Sequence, residues 1–326
     1  MNAFSGKNIL VTGGLGFIGS NLARRLIELG AQVTLVDSMI PEYGGNLFNI
    51  EQIEDRVRVN ISDVRDEHSM KYLVAGQHYL FNLAGQTSHM DSMLDPETDL
   101  EINTKAQLSI LETCRRYNPD IKIVFASTRQ IYGRPEYLPV DESHPLRPVD
   151  VNGINKMAGE WYHILYNNVY GIRACSLRLT NTYGPRMRIK DARQTFVGIW
   201  IRLLVEGKPF EVWEGHQKRD FTYVDDCVEA LLVTASSDQA NGQIYNLGGD
   251  EVITLKELAE LLSGVTGKGE YAIKNFPLDR KPIDIGDYYS DFGKIRTELG
   301  WEPKVNLEEG LKLTVDFYQS NLRHYI

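Results

Sequence analysis

Asn8-Ile-Leu-Val-Thr-Gly-Gly-Leu-Gly-Phe-Ile-Gly19 is the stretch that decides the fold. A short apolar strand over 8–12 runs into a glycine-rich turn, and a helical pattern over 17–29 follows and stops at Gly30. Gly13, Gly16 and Gly19 have G-x-x-G-x-x-G spacing, with Phe17 and Ile18 inside the same turn-to-helix segment. That spacing meets three physical needs: a tight turn, close approach of backbone to a pyrophosphate, and close packing of helix on strand. A second strand over 32–36 leads to Asp37. A carboxylate there accepts hydrogen bonds from the adenosine ribose and repels a 2′-phosphate. The two signals together read as a site for NAD in preference to NADP.

Further strands are expected over 57–59, 79–83, 121–126 and 173–179, with helices over 100–116 and 153–167 between them. This alternation predicts an α/β protein of the Rossmann type, a doubly wound parallel sheet covered on both faces. Beyond Asn181 the pattern loosens. A helix is expected over 196–206 and another over 227–236. Thr254-Leu-Lys-Glu257 reads as a capping box and Asn306 as the cap of a last helix. The boundary near residue 180 divides a dinucleotide-binding part, 1–180, from a smaller substrate lobe, 181–326. Some segments of the second part are expected to return to the first.

Composition narrows the function. The 326 residues carry a net charge of −9 and no long basic run, which argues against nucleic acid or an anionic membrane surface as partner. An anionic ligand therefore needs a local cluster of basic groups. Apolar stretches are of strand length, too short to span a membrane, and the N-terminus runs into a strand without a signal-peptide core. Cys114, Cys175 and Cys227 lie far apart and read as buried free thiols of a cytoplasmic protein. No residue spacing calls for a metal.

Several motifs beyond the glycine turn resemble the extended short-chain dehydrogenase/reductase family of NAD-dependent sugar-nucleotide epimerases and dehydratases, such as UDP-galactose 4-epimerase. They are Ala126-Ser-Thr-Arg-Gln-Ile-Tyr-Gly133, Arg178-Leu-Thr-Asn-Thr-Tyr-Gly-Pro185, Arg219-Asp-Phe-Thr-Tyr-Val-Asp-Asp226 and Tyr245-Asn-Leu-Gly-Gly249. Asn82-Leu-Ala-Gly-Gln86, Glu101-Ile-Asn103 and Gln194-Thr-Phe-Val-Gly-Ile-Trp200 look closer to the CDP-tyvelose 2-epimerases. The resemblance implies a homodimer built on the helices over 100–116 and 153–167, and a nucleotide-diphosphate sugar, UDP- or CDP-linked, as substrate. It implies epimerisation through a transient keto sugar with NAD kept bound. It places Asp63, Val64, Leu83, Ala84, Gln86, Asn103 and Lys156 against the cofactor. Thr128 matches a catalytic hydroxyl, and Ser88, Thr128, Asn181 and Arg219 match substrate contacts. Either Arg280 or Lys281 fills a further phosphate contact.

The departures are as informative. Residues 148–160 read Pro-Val-Asp-Val-Asn-Gly-Ile-Asn-Lys-Met-Ala-Gly-Glu, so Lys156 is in place while Asn152 stands where the family has its catalytic tyrosine. An amide cannot take a proton from a sugar hydroxyl near neutral pH. Four readings fit. Asp150, His89, Tyr132 or Tyr183 replaces the base; a water held by Asn152 and Thr128 relays the proton; the site is retired and only binds NAD and a nucleotide sugar; or the asparagine is engineered. Arg129 and Gln130 occupy positions where dehydratases and decarboxylases carry an acidic residue, which disfavours elimination chemistry.

Overall fold

The computed structural model describes residues 2–193, 195–267, 269–278 and 280–326. Gln194, the first residue of the 194–200 motif, and Asp279 lie outside the described residues. The strands among the described residues are β1 Asn8–Thr12, β2 Gln32–Asp37, β3 Val57–Ile61, β4 Tyr79–Asn82, β5 Lys122–Thr128, β6 Arg173–Leu179, β7 Asn181–Tyr183, β8 Phe210–Trp213, β9 Lys218–Tyr223, β10 Ile244–Asn246, β11 Val252–Thr254 and β12 Tyr271–Lys274. The helices used below are α1 Phe17–Glu28, α2 Glu67–Val74, α3 His89–Leu94, α4 Pro96–Leu100, α5 Ala106–Tyr117, α6 Val151–Tyr170, α7 Phe196–Val205, α8 Val224–Ser236, α9 Leu255–Thr266, α10 Gly293–Leu299 and α11 Leu307–Asn321.

Seven strands form the central sheet in the order β10-β6-β5-β4-β1-β2-β3, all parallel. Ile9, Leu10 and Val11 of β1 and Ile123, Val124 and Phe125 of β5 are almost fully buried, as a sheet covered on both faces requires. One face packs against α1 and α8, through Leu22, Leu26 and Leu231. The other packs against α2, α5 and α6, through Met70, Ile110 and Tyr166. The strand order reverses between β1 and β4, which opens the crevice where such sheets bind ligands. Register brings Thr12, Val36 and Asn82 level at that edge.

A second core holds α7, α9 and α11 around Trp200, Leu204, Phe210, Leu258 and Leu311. The three-stranded sheet β11-β9-β7 holds Asn181 on β7 and Arg219 on β9. Strand β10 and helix α8 come from beyond residue 181 yet belong to the layers of the first body.

The expected helix over 100–116 is interrupted: α4 joins α5 through a π-helical turn, Glu101–Lys105. The helix expected from Gly153 begins two residues earlier, because Asp150 caps it: its Oδ1 accepts from the Gly153 N–H at 2.6 Å. The capping box at Thr254 and the cap at Asn306 form as read. All three cysteines are buried and free.

Candidate active site

A cleft of about 280 Å³ opens along the carboxyl ends of the central strands. Its first half is made largely by backbone. Gly13 has a φ of 66°, and a Cβ added to Gly19 would come within 2.2 Å of the Gly13 carbonyl oxygen. Only glycine allows the turn to lie so close to the helix. Gly16 caps α1 without a side-chain hydrogen bond, so the first helical N–H groups are open to an anion. Thr12 Oγ1 stitches the crevice, donating to Asn82 Oδ1 at 2.9 Å and accepting from the Leu83 and Ala84 N–H groups at 3.1 Å.

Asp37 stands at the end of β2 in this half. Its Oδ2 accepts from the Leu15 N–H at 3.1 Å and its Oδ1 from the Met39 N–H at 3.0 Å. Burial pushes its carboxyl above the ordinary range, against those two bonds. Gly45 lies over it: a Cβ there would meet Oδ1 at 2.8 Å. Uncapped helix, glycine turn and strand-end carboxylate suit the pyrophosphate and ribose of a dinucleotide. Phe17, Ile18, Val64, Leu83 and Ala84 also line the cleft. Asp63 lines it too, but its own turn occupies the carboxylate. Partial burial would raise it; the Arg65 guanidinium, 2.7 Å from Oδ2, outweighs burial and holds it below the usual range. The loop residues Ser38, Ile40 and Tyr43 complete the wall, and no motif marks them.

The second half gathers Thr128, Asn152, Lys156 and Asn181, as the sequence implies. Lys156 Nζ donates to the Ala126 carbonyl at 3.1 Å and lies 5.1 Å from the centre of the Phe125 ring. Burial pushes its ammonium down to about 8, with Asp99 acting the other way. A Cβ on Gly85 would sit 2.7 Å from that Nζ. Thr128 Oγ1 accepts from the Gln130 N–H at 3.3 Å.

Asn152 is occupied. Its Nδ2 donates to the Gln86 carbonyl at 2.8 Å and to Asp99 Oδ2 at 3.1 Å, while Asn155 donates to Asp99 Oδ1 at 2.8 Å. Asp99 is wholly buried on α4 and looks in the sequence like any surface carboxylate. Gln86, Ser88 and Asn103 stand behind the cleft wall, not on its lining. The Gln86 carbonyl accepts from both Asn103 and Asn152, and Ser88 Oγ caps α3. Asn103 sits in the π-helical turn with a buried Oδ1 that has no donor among the described residues.

Of the four replacement bases, the structure withdraws both tyrosines. Tyr132 is fully buried, its hydroxyl donating to Asn246 and accepting from Arg178. Tyr183 is as deep, donating to the Leu307 carbonyl. Burial raises both phenols. His89 and Asp150 remain, and they are together. His89 opens α3 and lines the cleft, with Asp150 Oδ2 2.9 Å from its Nδ1. Oδ2 has no hydrogen-bond donor among the described residues, and its contact with His89 is an ion pair only when the ring is protonated. The Gln130 amide nitrogen lies 2.8 Å from Nε2 of the same ring.

Arg219 lies on β9 outside the cleft lining, its Nη1 donating to the carbonyls of Lys218 and Gly286. Arg280 stacks over Trp213 at 4.8 Å. Lys281 opens a short 3₁₀ turn whose carbonyls receive Arg134. Neither Arg280 nor Lys281 lines the cleft.

A family model described as GDP-mannose 4,6 dehydratase matches residues 10–314. The chain is 35% identical over 317 residues to a Methanocaldococcus jannaschii protein that carries the provisional name UDP-glucose 4-epimerase, covering 97% of this chain and 99% of that one. Among solved structures it is similar to the UDP-glucose 4-epimerase of Thermotoga maritima with UDP-glucose. That match has a TM-score of 0.89 and 32% identity over 97% of this chain and 99% of the other. It is also similar to the Thermus thermophilus UDP-glucose 4-epimerase complex with NAD, with a TM-score of 0.84 and 31% identity over 96% and 99% of the two chains.

Proposed function

The chain belongs to the extended short-chain dehydrogenase/reductase family of sugar-nucleotide epimerases and dehydratases, and from this premise we propose an NAD-dependent epimerase of a nucleotide-diphosphate sugar. His89, backed by Asp150, exchanges the hydroxyl proton in it. NAD is the family's cofactor; when bound it accepts and returns a hydride, so that a sugar carbon passes through a keto form. The glycine turn, the α1 amides and Asp37 hold its pyrophosphate and ribose. Lys156 supplies positive charge beside the reacting hydroxyl and favours loss of its proton. Thr128 orients that hydroxyl. The observation that carries the reading is the cleft-facing His89 with a buried carboxylate at its back. An imidazole exchanges protons near neutral pH, which an amide cannot. Arg129 and Gln130 offer no carboxylate for elimination of water, which supports epimerisation over the dehydratase chemistry for which the family model is named.

The test is single-turnover formation of NADH from bound NAD with UDP-, CDP-, GDP- and dTDP-sugars, read by the absorbance of the reduced cofactor, with NMR of the sugar. His89→Gln is expected to lower the rate by about two to four orders of magnitude while NAD affinity holds. A wild type that binds a nucleotide sugar yet never forms NADH or altered sugar would favour the rival reading of a binding protein. An undiminished His89→Gln rate would remove His89 from the reaction.

The same premise extends to assembly. Helix α6 leaves Ile154, Trp161, Leu165 and Val169 at 51%, 51%, 48% and 61% exposure along one stripe, and a second copy of this face would cover it. Trp161→Glu is expected to convert a dimer into a monomer in sedimentation; a wild type that is monomeric at micromolar concentration would refute this.

A further inference from the structure

Arg129 follows Thr128 at the carboxyl end of β5 and lines the cleft. Its Nη2 donates to Asn181 Oδ1 at 3.0 Å, and its guanidinium lies 5.0 Å from the centre of the buried Tyr288 ring. Its Nη1 is buried and has no acceptor among the described residues. No carboxylate among them forms an ion pair with it. Asp220, Asp150 and Asp284 act on it only from a distance, and burial drives it below the ordinary arginine range. Asp220 is occupied by the Thr180 hydroxyl at 2.8 Å and the Ser290 N–H at 3.0 Å. Arg219 stands near enough to compound the problem: burial first, and then the Arg129 charge, push it down to about 10.

Burying a cation without a partner costs several kcal/mol, and a like charge nearby adds to that. The arrangement is stable only if something offsets it, and of the two arginines Arg129 lines a ligand cleft. We propose that Arg129 is an anion-binding residue of this cleft: it takes a negatively charged group of the nucleotide sugar, either an acid group on the sugar or the diphosphate. The inference rests on the sugar-nucleotide reading above. Arginine stays protonated, so it exchanges no proton with the substrate and its part is recognition. Its planar fork fits two oxygens of a carboxylate or a phosphate at once.

The experiment is calorimetric titration of the NAD-loaded protein with UDP, UDP-glucose and UDP-glucuronic acid, for wild type, Arg129→Gln and Arg129→Lys. A ligand read by Arg129 is expected to lose about 10- to 100-fold in affinity in Arg129→Gln, with partial recovery in Arg129→Lys. Loss confined to UDP-glucuronic acid assigns the anion to the sugar; equal loss for all three assigns it to the diphosphate. Measurable binding that changes by less than about twofold throughout overturns the proposal and leaves the sugar-nucleotide reading standing. If wild type binds none of the three, the sugar-nucleotide reading fails for uridine ligands. A thermal shift with inorganic pyrophosphate then decides on Arg129 separately: a shift equal in wild type and Arg129→Gln overturns it, and one lost in the variant upholds it. Removing an uncompensated charge should leave the ligand-free melting temperature unchanged or raised. A clear fall would mark Arg129 as structural and also overturn the proposal.

Discussion

The two halves of the cleft are built on different terms. The cofactor half is a demand on backbone: Gly13 and Gly19 are glycine because nothing else fits, and the α1 amides and Asp37 follow within one β-α-β unit. The reaction half is assembled from side chains of distant segments, with His89 on α3, Asp99 on α4, Arg129 after β5, and Asp150 and Asn152 at the start of α6. A backbone site tolerates almost no substitution, whereas a side-chain site can exchange one proton carrier for another if burial and partners are rearranged with it.

The sharpest way to break this comparison is Gly19→Ala. The new Cβ has backbone, not a flexible side chain, in its way. A loss of about 3 kcal/mol in stability and at least about a hundredfold in NAD affinity is expected, read by denaturant unfolding and titration. Near-normal NAD binding would mean that the first half is no more rigid than the second.

Asn152→Tyr tests the reaction half. The ring must fit where 2% of the residue is exposed, and Asp99 Oδ2 and the Gln86 carbonyl both lose a donor. The variant is expected to lose about 2–3 kcal/mol and to gain no NADH formation. Restored reduction would show a retired tyrosine enzyme and not a rebuilt one.

Asp37→Ala should narrow the preference for NAD over NADP by about tenfold, the scale of one carboxylate-ribose contact. Equal wild-type dissociation constants for the two cofactors would refute the role of Asp37.

The smallest effect is a slope. Lys156 is pushed from 10.5 to about 8 in the folded protein. Between those values the unfolded chain holds a proton that the folded one has released, so stability relative to Lys156→Met rises with pH. The rise is at most about 1.4 kcal/mol per pH unit, and it is absent below the folded value. A flat difference across that window in denaturant titrations would show that the ammonium is better solvated than its burial implies.

What could be read in the sequence divides along the same line. The parallel, doubly wound sheet follows from alternation of short apolar runs, though not its strand order or the return of β10 to its edge, and the glycine turn and Asp37 are legible because their requirement is local. Thr128, Lys156 and Asn181 were reached through resemblance, and the fold does bring them to one cleft. Asp99 was not legible: in Pro96-Glu-Thr-Asp-Leu100 it resembles a solvated helix face, and only the docking of α4 on α6 buries it. Nor was the choice among four bases, since the burial that withdraws Tyr132 and Tyr183 comes from residues more than a hundred positions away in Asn246 and Leu307.

Strand β10 gives the fold a particular order of manufacture. β6 borders it in the finished sheet, so a nascent chain that has emerged only as far as residue 180 presents the unpaired edge of β6 to its surroundings. It also lacks α8, and with it the cover over the α1 face of the sheet. Such a half-made chain is expected to be cleaved readily by protease, and to recruit holding chaperones, until Ile244–Asn246 arrives to seal that edge; a ribosome-stalled 1–180 chain as resistant as the full protein would argue otherwise. The sheet that carries the glycine turn begins at β1 and is completed only when β10 has been made, more than two hundred residues later.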